Sequence, residues 1–587
     1  MPYKARPRAM ISHHRHRRAQ GYTAPVGDAR DYASCTTGVR TSVGKMETKP
    51  IQKGVTNMLD LIIERAKVYD GTGNPWRYAD VGIRDKKIEV IGRLENAEAS
   101  ERLDATGLAV APGFLDIHTH TELAMFQEDA EMPKIMQGVT TELYGHCSLS
   151  VAPLNAKTRE IWKAMLGPAL GVRPDMEWPW LSVGEYLAVM DKTPKRANLA
   201  TLVGHGTLRS LVMGFENREP SQLELTSMQS ELAAAMEQGA FGMSSAGVQS
   251  PSNFASHAEL TALATAMAPH GGVFMPHLRS ESNELVESVV EAIAVSERSG
   301  APLHLVHMKA AGTHNWGKVH EVIRLVDEAR ARGVDVTMDQ YPYIAGSLNL
   351  EAFLPPWVRE GGHQATVARL REHANRARIT REMEEGLPGW ESLKHWSGWE
   401  GVTIASVNTE NNRHLEGMKL EEIARQRGVL PEDALFDIIC EEGLGVTMVI
   451  FWGCEEDLKA VLAHPVTSVI SDSLPTKGKP HPRLYGTFPR VLGKYAREEK
   501  CITMEEAVKK MTSLPASRLG LTDRGILRPG AFADVVVFDS ETVSDISTYD
   551  EPRRTPAGIR DVLVNGEFTV RNGVLTQNKP GMVIRNS

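Results

Sequence analysis

The sequence predicts an α/β protein: a (β/α)8 TIM barrel with an inserted subdomain over its mouth and a small β-domain built from both chain ends. Three observations predict it. Apolar runs of strand length alternate with amphipathic helical stretches through the middle of the chain, the pattern of a parallel sheet wrapped by helices. Short strands cut by Gly and Asn recur at both ends. Histidines stand where several middle strands stop, and in barrels of this kind chemistry sits at the strand ends.

The first 57 residues stand apart. They hold 11 Lys/Arg against 3 Asp/Glu, a net 11 − 3 = +8, which leaves −16 of the chain's −8 on the remainder. The run His13-His14-Arg15-His16-Arg17-Arg18 has neither apolar periodicity nor a signal-peptide core. A disordered basic extension without a part in catalysis is expected over 1–57; a transit peptide or translation upstream of the true start would look the same.

Strand texture begins at Met58, with Leu59-Asp-Leu-Ile-Ile, the turn Asp70-Gly-Thr-Gly73, then Ala79-Asp-Val-Gly-Ile and Lys87-Ile-Glu-Val-Ile. The far end mirrors it in Ala533-Asp-Val-Val-Val-Phe, Asp561-Val-Leu-Val-Asn-Gly and Gly573-Val-Leu-Thr. The two parts, 58–112 and 521–587, are expected to pair. Between them, 113–520 reads as the barrel. Leu199-Ala-Thr-Leu-Val-Gly-His-Gly is a buried strand, Gly242-Met-Ser-Ser the next, and Val273-Phe-Met-Pro-His277 and Leu303-His-Leu-Val-His307 follow, with helices after each. The Trp- and charge-rich stretch at about 349–412 is too long for a plain loop and reads as the insertion.

The chemistry gathers at strand ends. Val110-Ala-Pro-Gly-Phe-Leu-Asp-Ile-His-Thr-His120 is an apolar run ending in two histidines, and period-2 alternation puts His118 and His120 on one side. Neutral imidazoles so placed can share a metal ion. Cys147 follows a glycine at a strand end. It is a zinc ligand as a thiolate, a nucleophile with His146 as base, or a buried inert thiol. His277 and His307 each end an apolar strand; each taken alone also fits a satisfied core histidine. Asp472, in Val469-Ile-Ser-Asp-Ser, can ligate metal, take a proton from water, or cap a helix. A decoy, Gly312-Thr-His-Asn-Trp-Gly-Lys-Val319, matches a phosphate loop until valine replaces the hydroxyl residue that would meet Mg²⁺.

Composition bounds the partners. With 42% hydrophobic residues, 24% charged and a net charge of −8, the chain is no general nucleic-acid or membrane-surface binder. No apolar run approaches the ~18 residues of a membrane span. Five cysteines, few and widely spaced, suit a reducing cytoplasm.

With these residues in view, the chain resembles the amidohydrolase superfamily, and within it the N-acyl-D-amino-acid deacylases, from about Met58 to the C-terminus. The motifs that carry the resemblance are Ala111-Pro-Gly-Phe-Leu-Asp-Ile-His-Thr-His, Gly138-Val-Thr-Thr, Leu202-Val-Gly-His-Gly-Thr-Leu-Arg, His277-Leu-Arg-Ser-Glu, His307-Met-Lys, Asp339-Gln-Tyr-Pro-Tyr, His481-Pro-Arg-Leu-Tyr-Gly-Thr-Phe-Pro-Arg, Met511-Thr-Ser-Leu-Pro-Ala and Arg524-Gly-Ile-Leu-Arg-Pro-Gly-Ala-Phe-Ala-Asp. The resemblance implies a β-sandwich from the two chain ends and a tight zinc on Cys147, His277 and His307. It implies a weaker second position on His118, His120 and Asp472. It implies Arg483, Lys309, Tyr341 and Ser347 around a substrate carboxylate, and Asp472 as the group that moves the proton. The expected partner is a small N-acyl amino acid, turned over by a monomer or homo-oligomer.

Three departures stand near the implied site. Thr121-Glu122 follows the His pair where relatives carry two acidic residues; His146 and Ser148 flank Cys147 where Asn and Gly are usual; and Val248-Gln-Ser-Pro lacks the usual tyrosine. The fourth strand, Gly242-Met-Ser-Ser-Ala-Gly, lacks the lysine with which many relatives bridge two metals, and the resemblance implies Cys147 in that bridging role, which fits the deacylase branch and disfavours a hydantoinase-like enzyme. The alternatives are another amide substrate, such as a cyclic imide or N-acyl conjugate, and a non-catalytic scaffold. A scaffold would have lost metal ligands, and every expected one is present.

Overall fold

Eight parallel strands form a ring. We label them β1 (Phe114–Asp116), β2 (Val139–Tyr144), β3 (Asn198–Thr201, resuming as Val203–Gly204), β4 (Gly242–Ala246), β5 (Val273–His277), β6 (Leu303–Leu305), β7 (Val336–Gln340) and β8 (Thr467–Val469). Each pairs in parallel with the next, except that β3 is the join between a three-stranded and a six-stranded run. The seam between β8 and β1 closes just past the strand ends: Asp472 N–H donates to the His118 carbonyl (2.9 Å) and His120 N–H to that of Ser473 (3.0 Å). This computed structural model describes residues 58–586, apart from 128–129, 171–175, 388 and 444. The extension expected over 1–57 lies outside the described residues.

Alternation along the strands sorts the core into two layers. On β5, Phe274 packs against the helical layer with Met243, Leu303, Val289 and Ile293, while Val273 and Met275 belong to the opposite cluster. His277 shares the parity of Val273 and Met275, which carries it to the side away from the helices. Three helices begin at side-chain caps legible in the sequence. Ser182 with Glu185, Ser221 with Glu224, and Thr503 with Glu506 all form capping boxes.

The chain ends do pair. Nine strands form one sheet, joined where Ala109–Pro112 runs antiparallel to Val535–Phe538. The Val535–Phe538 strand serves two neighbours at once. Val535 and Val537 pack with Leu61, Ile63, Val81 and Ile83 inside the sheet domain, whereas Val536 and Phe538 pack with Phe114 and Val139 at the barrel. At the same boundary, buried Asp534 accepts from Arg524 Nη1, from Asn565 N–H (2.7 Å) and from Asn198 Nδ2 of β3 (3.1 Å).

The structure revises four boundaries. The excursion after β7 runs on past 412: strands Ala345–Asn349, Val402–Ser406 and Thr447–Phe451 make a three-stranded antiparallel sheet, so its last strand lies at 447–451. Composition missed it because the last strand, Thr-Met-Val-Ile-Phe, is apolar like those of the barrel. The final residues leave the sheet domain, with Leu199 of β3 bonded to Met582 and Ile584. Strand β6 ends at Leu305, and His307 follows in a left-handed conformation (φ 35°). His205, read as the tail of β3, instead starts a helix, His205–Met213.

Asp534→Ala should cost about 3–5 kcal/mol, since it strands the buried Arg524 charge. Urea denaturation checks this; a loss below ~1 kcal/mol, in the range of an exposed pair, would contradict the assigned burial.

Candidate metal centre

Cys147 is the hub. Its Sγ lies 3.6 Å from His118 Nε2, 3.7 Å from His277 Nδ1 and 3.7 Å from His307 Nε2. Two overlapping sets share it: Cys147, His277 and His307, and His118, His120, Cys147 and Asp472. Asp472 Oδ1 stands 3.4 Å from the Nε2 atoms of both His118 and His120. All five expected ligands and Asp472 therefore converge at one end of the barrel.

The backbone makes this possible at a cost. Cys147 (φ 51°), Ser148 (φ 67°), His307 (φ 35°) and Asp472 (φ 47°) all occupy the left-handed region that side chains disfavour. The Cys147 turn is held from below by β4. Ser244 Oγ donates to the Gly145 carbonyl (2.5 Å) and accepts from Ser148 N–H (3.1 Å). Glu122, the acidic residue beside the departure at Thr121, braces the same turn by accepting from Gly145 N–H (3.1 Å). His146 stacks on His118 with ring centroids 3.9 Å apart. That parallel stack turns His146 into a packing partner of His118, not a base for Cys147.

A carboxylate that sequence reasoning left without a role faces the Cys147, His277 and His307 set. Glu281 Oε1 lies 2.8 Å from His307 Nδ1, and Oε2 lies 3.5 Å from His277 Nε2. Each imidazole thus turns its outer nitrogen to Glu281 and its inner nitrogen to Cys147, with the closer approach to Glu281 at His307. Lys309 Nζ also pairs with Glu281 and lies 3.0 Å from His307 Nδ1. Burial would raise the Glu281 carboxyl, but Lys309, His277 and His307 outweigh it and hold it well below the usual range. Asp339 plays a parallel part: its carboxylate takes the His307 N–H and His304 Nε2 (2.9 Å) and stands 3.8 Å from His118 Nδ1. Glu281 closes the quoted His277-Leu-Arg-Ser-Glu motif and Asp339 opens Asp339-Gln-Tyr-Pro-Tyr, so both were visible as motif positions. Ser244 carried no signal at all.

The donor set fits zinc. Zn–S near 2.3 Å and Zn–N near 2.0–2.1 Å at a tetrahedral angle put sulfur and nitrogen about 3.5 Å apart, close to the spacing around Cys147. Burial pulls His277 down to about 3, leaving a neutral ring with a lone pair to give. Burial, with Asp472 and Glu281 nearby, pushes the Cys147 thiol well up. A bound divalent cation is what would make it a thiolate.

Beside this centre lie the four residues expected at a carboxylate. Arg483 Nη1 donates to Asp472 Oδ2 (2.8 Å), and its guanidinium lies over the Tyr341 ring (4.6 Å). Tyr341 meets Trp452 edge-on (6.1 Å), and Lys309 stands over Trp452 (5.7 Å). Ser347 is buried on the neighbouring strand Ala345–Asn349. Arg483 Nε and Trp452 Nε1 are buried donors with no protein partner. A Cβ on Gly346 would sit 3.1 Å from Trp452 Nε1 and 3.2 Å from Tyr341 OH, so the missing side chain leaves a small cradle facing both. Lys309 is the exception, since its ammonium is already engaged by Glu281. The decoy loop makes different use of its lysine: Lys318 Nζ donates to the carbonyl of Asn283 (2.8 Å).

A closed α/β ring with candidate metal ligands at or past its strand ends is the frame of a metal-dependent hydrolase, and the chain belongs to the amidohydrolase family, whose model matches residues 101–570. Among its relatives, the chain is 34% identical over 526 residues to the D-aminoacylase of Alcaligenes xylosoxydans xylosoxydans, covering 89% of this chain and 97% of that one. It is 36% identical over 533 residues to N-acyl-D-glutamate deacylase of the same organism, covering 90% and 96%. The crystal structure of N-acyl-D-glutamate deacylase from Bordetella bronchiseptica, complexed with zinc and a phosphonate mimic of the tetrahedral intermediate, is similar with a TM-score of 0.76 at 32% identity, over 90% of this chain and 100% of that one.

Cys147→Ala should abolish tight zinc binding and activity together. Metal analysis of the purified variant, with an amide hydrolysis assay alongside, reads the outcome. Full activity would return Cys147 to the role of a buried inert thiol.

Proposed function

We propose that the protein is a zinc-dependent deacylase that hydrolyses the amide bond of N-acyl-D-amino acids, releasing a carboxylate and a D-amino acid. The observation that carries this reading is the convergence of Cys147, His277 and His307 beside Asp472 and Arg483. The D configuration follows the relatives, a D-aminoacylase and an N-acyl-D-glutamate deacylase. The few, scattered cysteines support a cytoplasmic setting, and no helix among the described residues is long and apolar enough to cross a membrane.

Zinc held by this set supplies Lewis-acid activation of water and of the amide carbonyl. The chain's own groups do the rest. Burial would raise the Asp472 carboxyl, but Arg483, His118 and His120 hold it well below its ordinary value, so it is ionised and ready to accept. Its Oδ2 is fixed by Arg483, which leaves Oδ1 facing the ligand histidines. From there it takes the proton of the attacking water and passes it to the departing amide nitrogen, a poor leaving group until protonated. Arg483 Nε and Trp452 Nε1 offer the substrate carboxylate donors, and the family resemblance adds Tyr341 and Ser347 beside them. Lys309 adds positive charge beside them while tied to Glu281.

A stereochemically paired panel of N-acyl amino acids, assayed with and without zinc, tests the function. Zinc-dependent turnover of the D members is expected; preference for L members or for cyclic imides would overturn it. Asp472→Asn should lower kcat by at least the ~10²–10⁴ typical of general acid–base catalysis while zinc content persists. Loss of zinc with normal turnover by the zinc-loaded remainder would make Asp472 a ligand, not the proton carrier.

A further inference from the structure

One side chain of the inserted segment, Glu391, reaches the loop that carries Glu281. Glu391 lies between the helices His373–Glu385 and Lys394–Ser397. It reaches the loop that follows β5. Its Oε1 accepts from Ser280 Oγ (2.9 Å), from Ser282 Oγ and from Asn283 N–H (2.8 Å). Three donors on one carboxylate oxygen, all from four consecutive residues, make a clamp rather than a passing contact. The residue enclosed by that clamp is Glu281.

The clamp extends to the next loop. Asn283 Oδ1 faces His314 Nε2 (2.9 Å) and accepts from Asn315 Nδ2 (3.2 Å), both on the loop after β6. Lys318 Nζ closes the same corner from the following helix. Ala311 N–H donates to the Glu281 carbonyl (2.7 Å). Ser280 Oγ, while bonded to Glu391, accepts from Ser282 N–H (3.2 Å) and Glu284 N–H (3.0 Å) and so shapes the turn itself. Glu281 then holds His277 on β5, and His307 and Lys309 beyond β6.

We propose that Glu391 is a positioning residue for the metal centre: by gathering Ser280, Ser282 and Asn283, it fixes Glu281 and thereby the paired histidines His277 and His307. This rests on reading those histidines as zinc ligands. It gives the insertion a task beyond covering the barrel mouth, because the metal centre is then at full order only when the insertion is seated.

The test measures zinc affinity by competition with a chromophoric chelator, alongside melting temperature, in the full chain. Glu391→Ala should weaken zinc about tenfold, the low end of what losing an outer-shell partner costs. Glu391→Gln, which keeps an acceptor oxygen but no charge, should fall between it and wild type. Arg376→Ala is the control. Arg376 pairs with Asp433 and Asp437, away from the β5 loop, so losing it loosens the insertion elsewhere and should leave zinc affinity unchanged. If Glu391→Ala does not fold, Ser282→Ala removes one of the three donors and should weaken zinc by a smaller factor. Wild-type affinity in Glu391→Gln and Ser282→Ala, or an equal loss in Arg376→Ala, would overturn the proposal. A wild-type protein that binds no zinc would instead sink the ligand assignment on which it rests.

Discussion

Two backbone hydrogen bonds, from Asp472 N–H to the His118 carbonyl and from His120 N–H to the Ser473 carbonyl, close the ring of strands, and the rest of the site depends on them. Without that seam β8 is an edge, and Asp472 has no fixed relation to the first-strand histidines. With it, residues 354 or so positions apart in sequence meet within hydrogen-bonding distance. Further bonds lock the seam below the site: Ser471 N–H donates to Asp116 Oδ1 (3.0 Å), and buried Lys134 pairs with the other oxygen. A buried ion pair is weak evidence of net stability, but removing one partner is costly, so it serves registration well.

The ring also explains the strained backbone. A strand delivers side chains alternately to its two faces, and a metal needs several donors aimed at one point. Cys147, His307 and Asp472 meet that demand by leaving the strand and turning left-handed just beyond its end. Such conformations persist only where neighbours over-determine them. Here the neighbours are identifiable: Ser244 and Glu122 at the Cys147 turn, Asp339 at the His307 amide, and the seam itself at Asp472. Burial would raise the Asp339 carboxyl, but His118 and His304 hold it below its usual range, and an ionised acceptor makes the stronger hydrogen bond. It also lends the centre negative charge that a divalent cation would balance.

Much of this was legible in the residues. Alternation of apolar strands and helices gave the barrel, and each expected ligand stood at a strand end or within four residues beyond it. Patterning could not say that His307 lies past its strand, because Val306 continues the apolar run although the ladder has ended. Nor could it show the antiparallel sheet through Thr447–Phe451, whose residues Thr-Met-Val-Ile-Phe read like any barrel strand. Glu281 and Asp339 lay inside quoted motifs, yet their roles emerge only when loops distant in sequence meet. Lys309 shows the converse limit: a cation expected to face substrate spends its charge first on a neighbouring carboxylate.

The central claim is that Cys147 binds the metal as a thiolate together with His277 and His307. X-ray absorption at the zinc edge of the purified protein tests it most directly. The account predicts one sulfur scatterer at about 2.3 Å with nitrogen or oxygen neighbours near 2.0–2.1 Å. A stoichiometric zinc surrounded only by nitrogen and oxygen would contradict it.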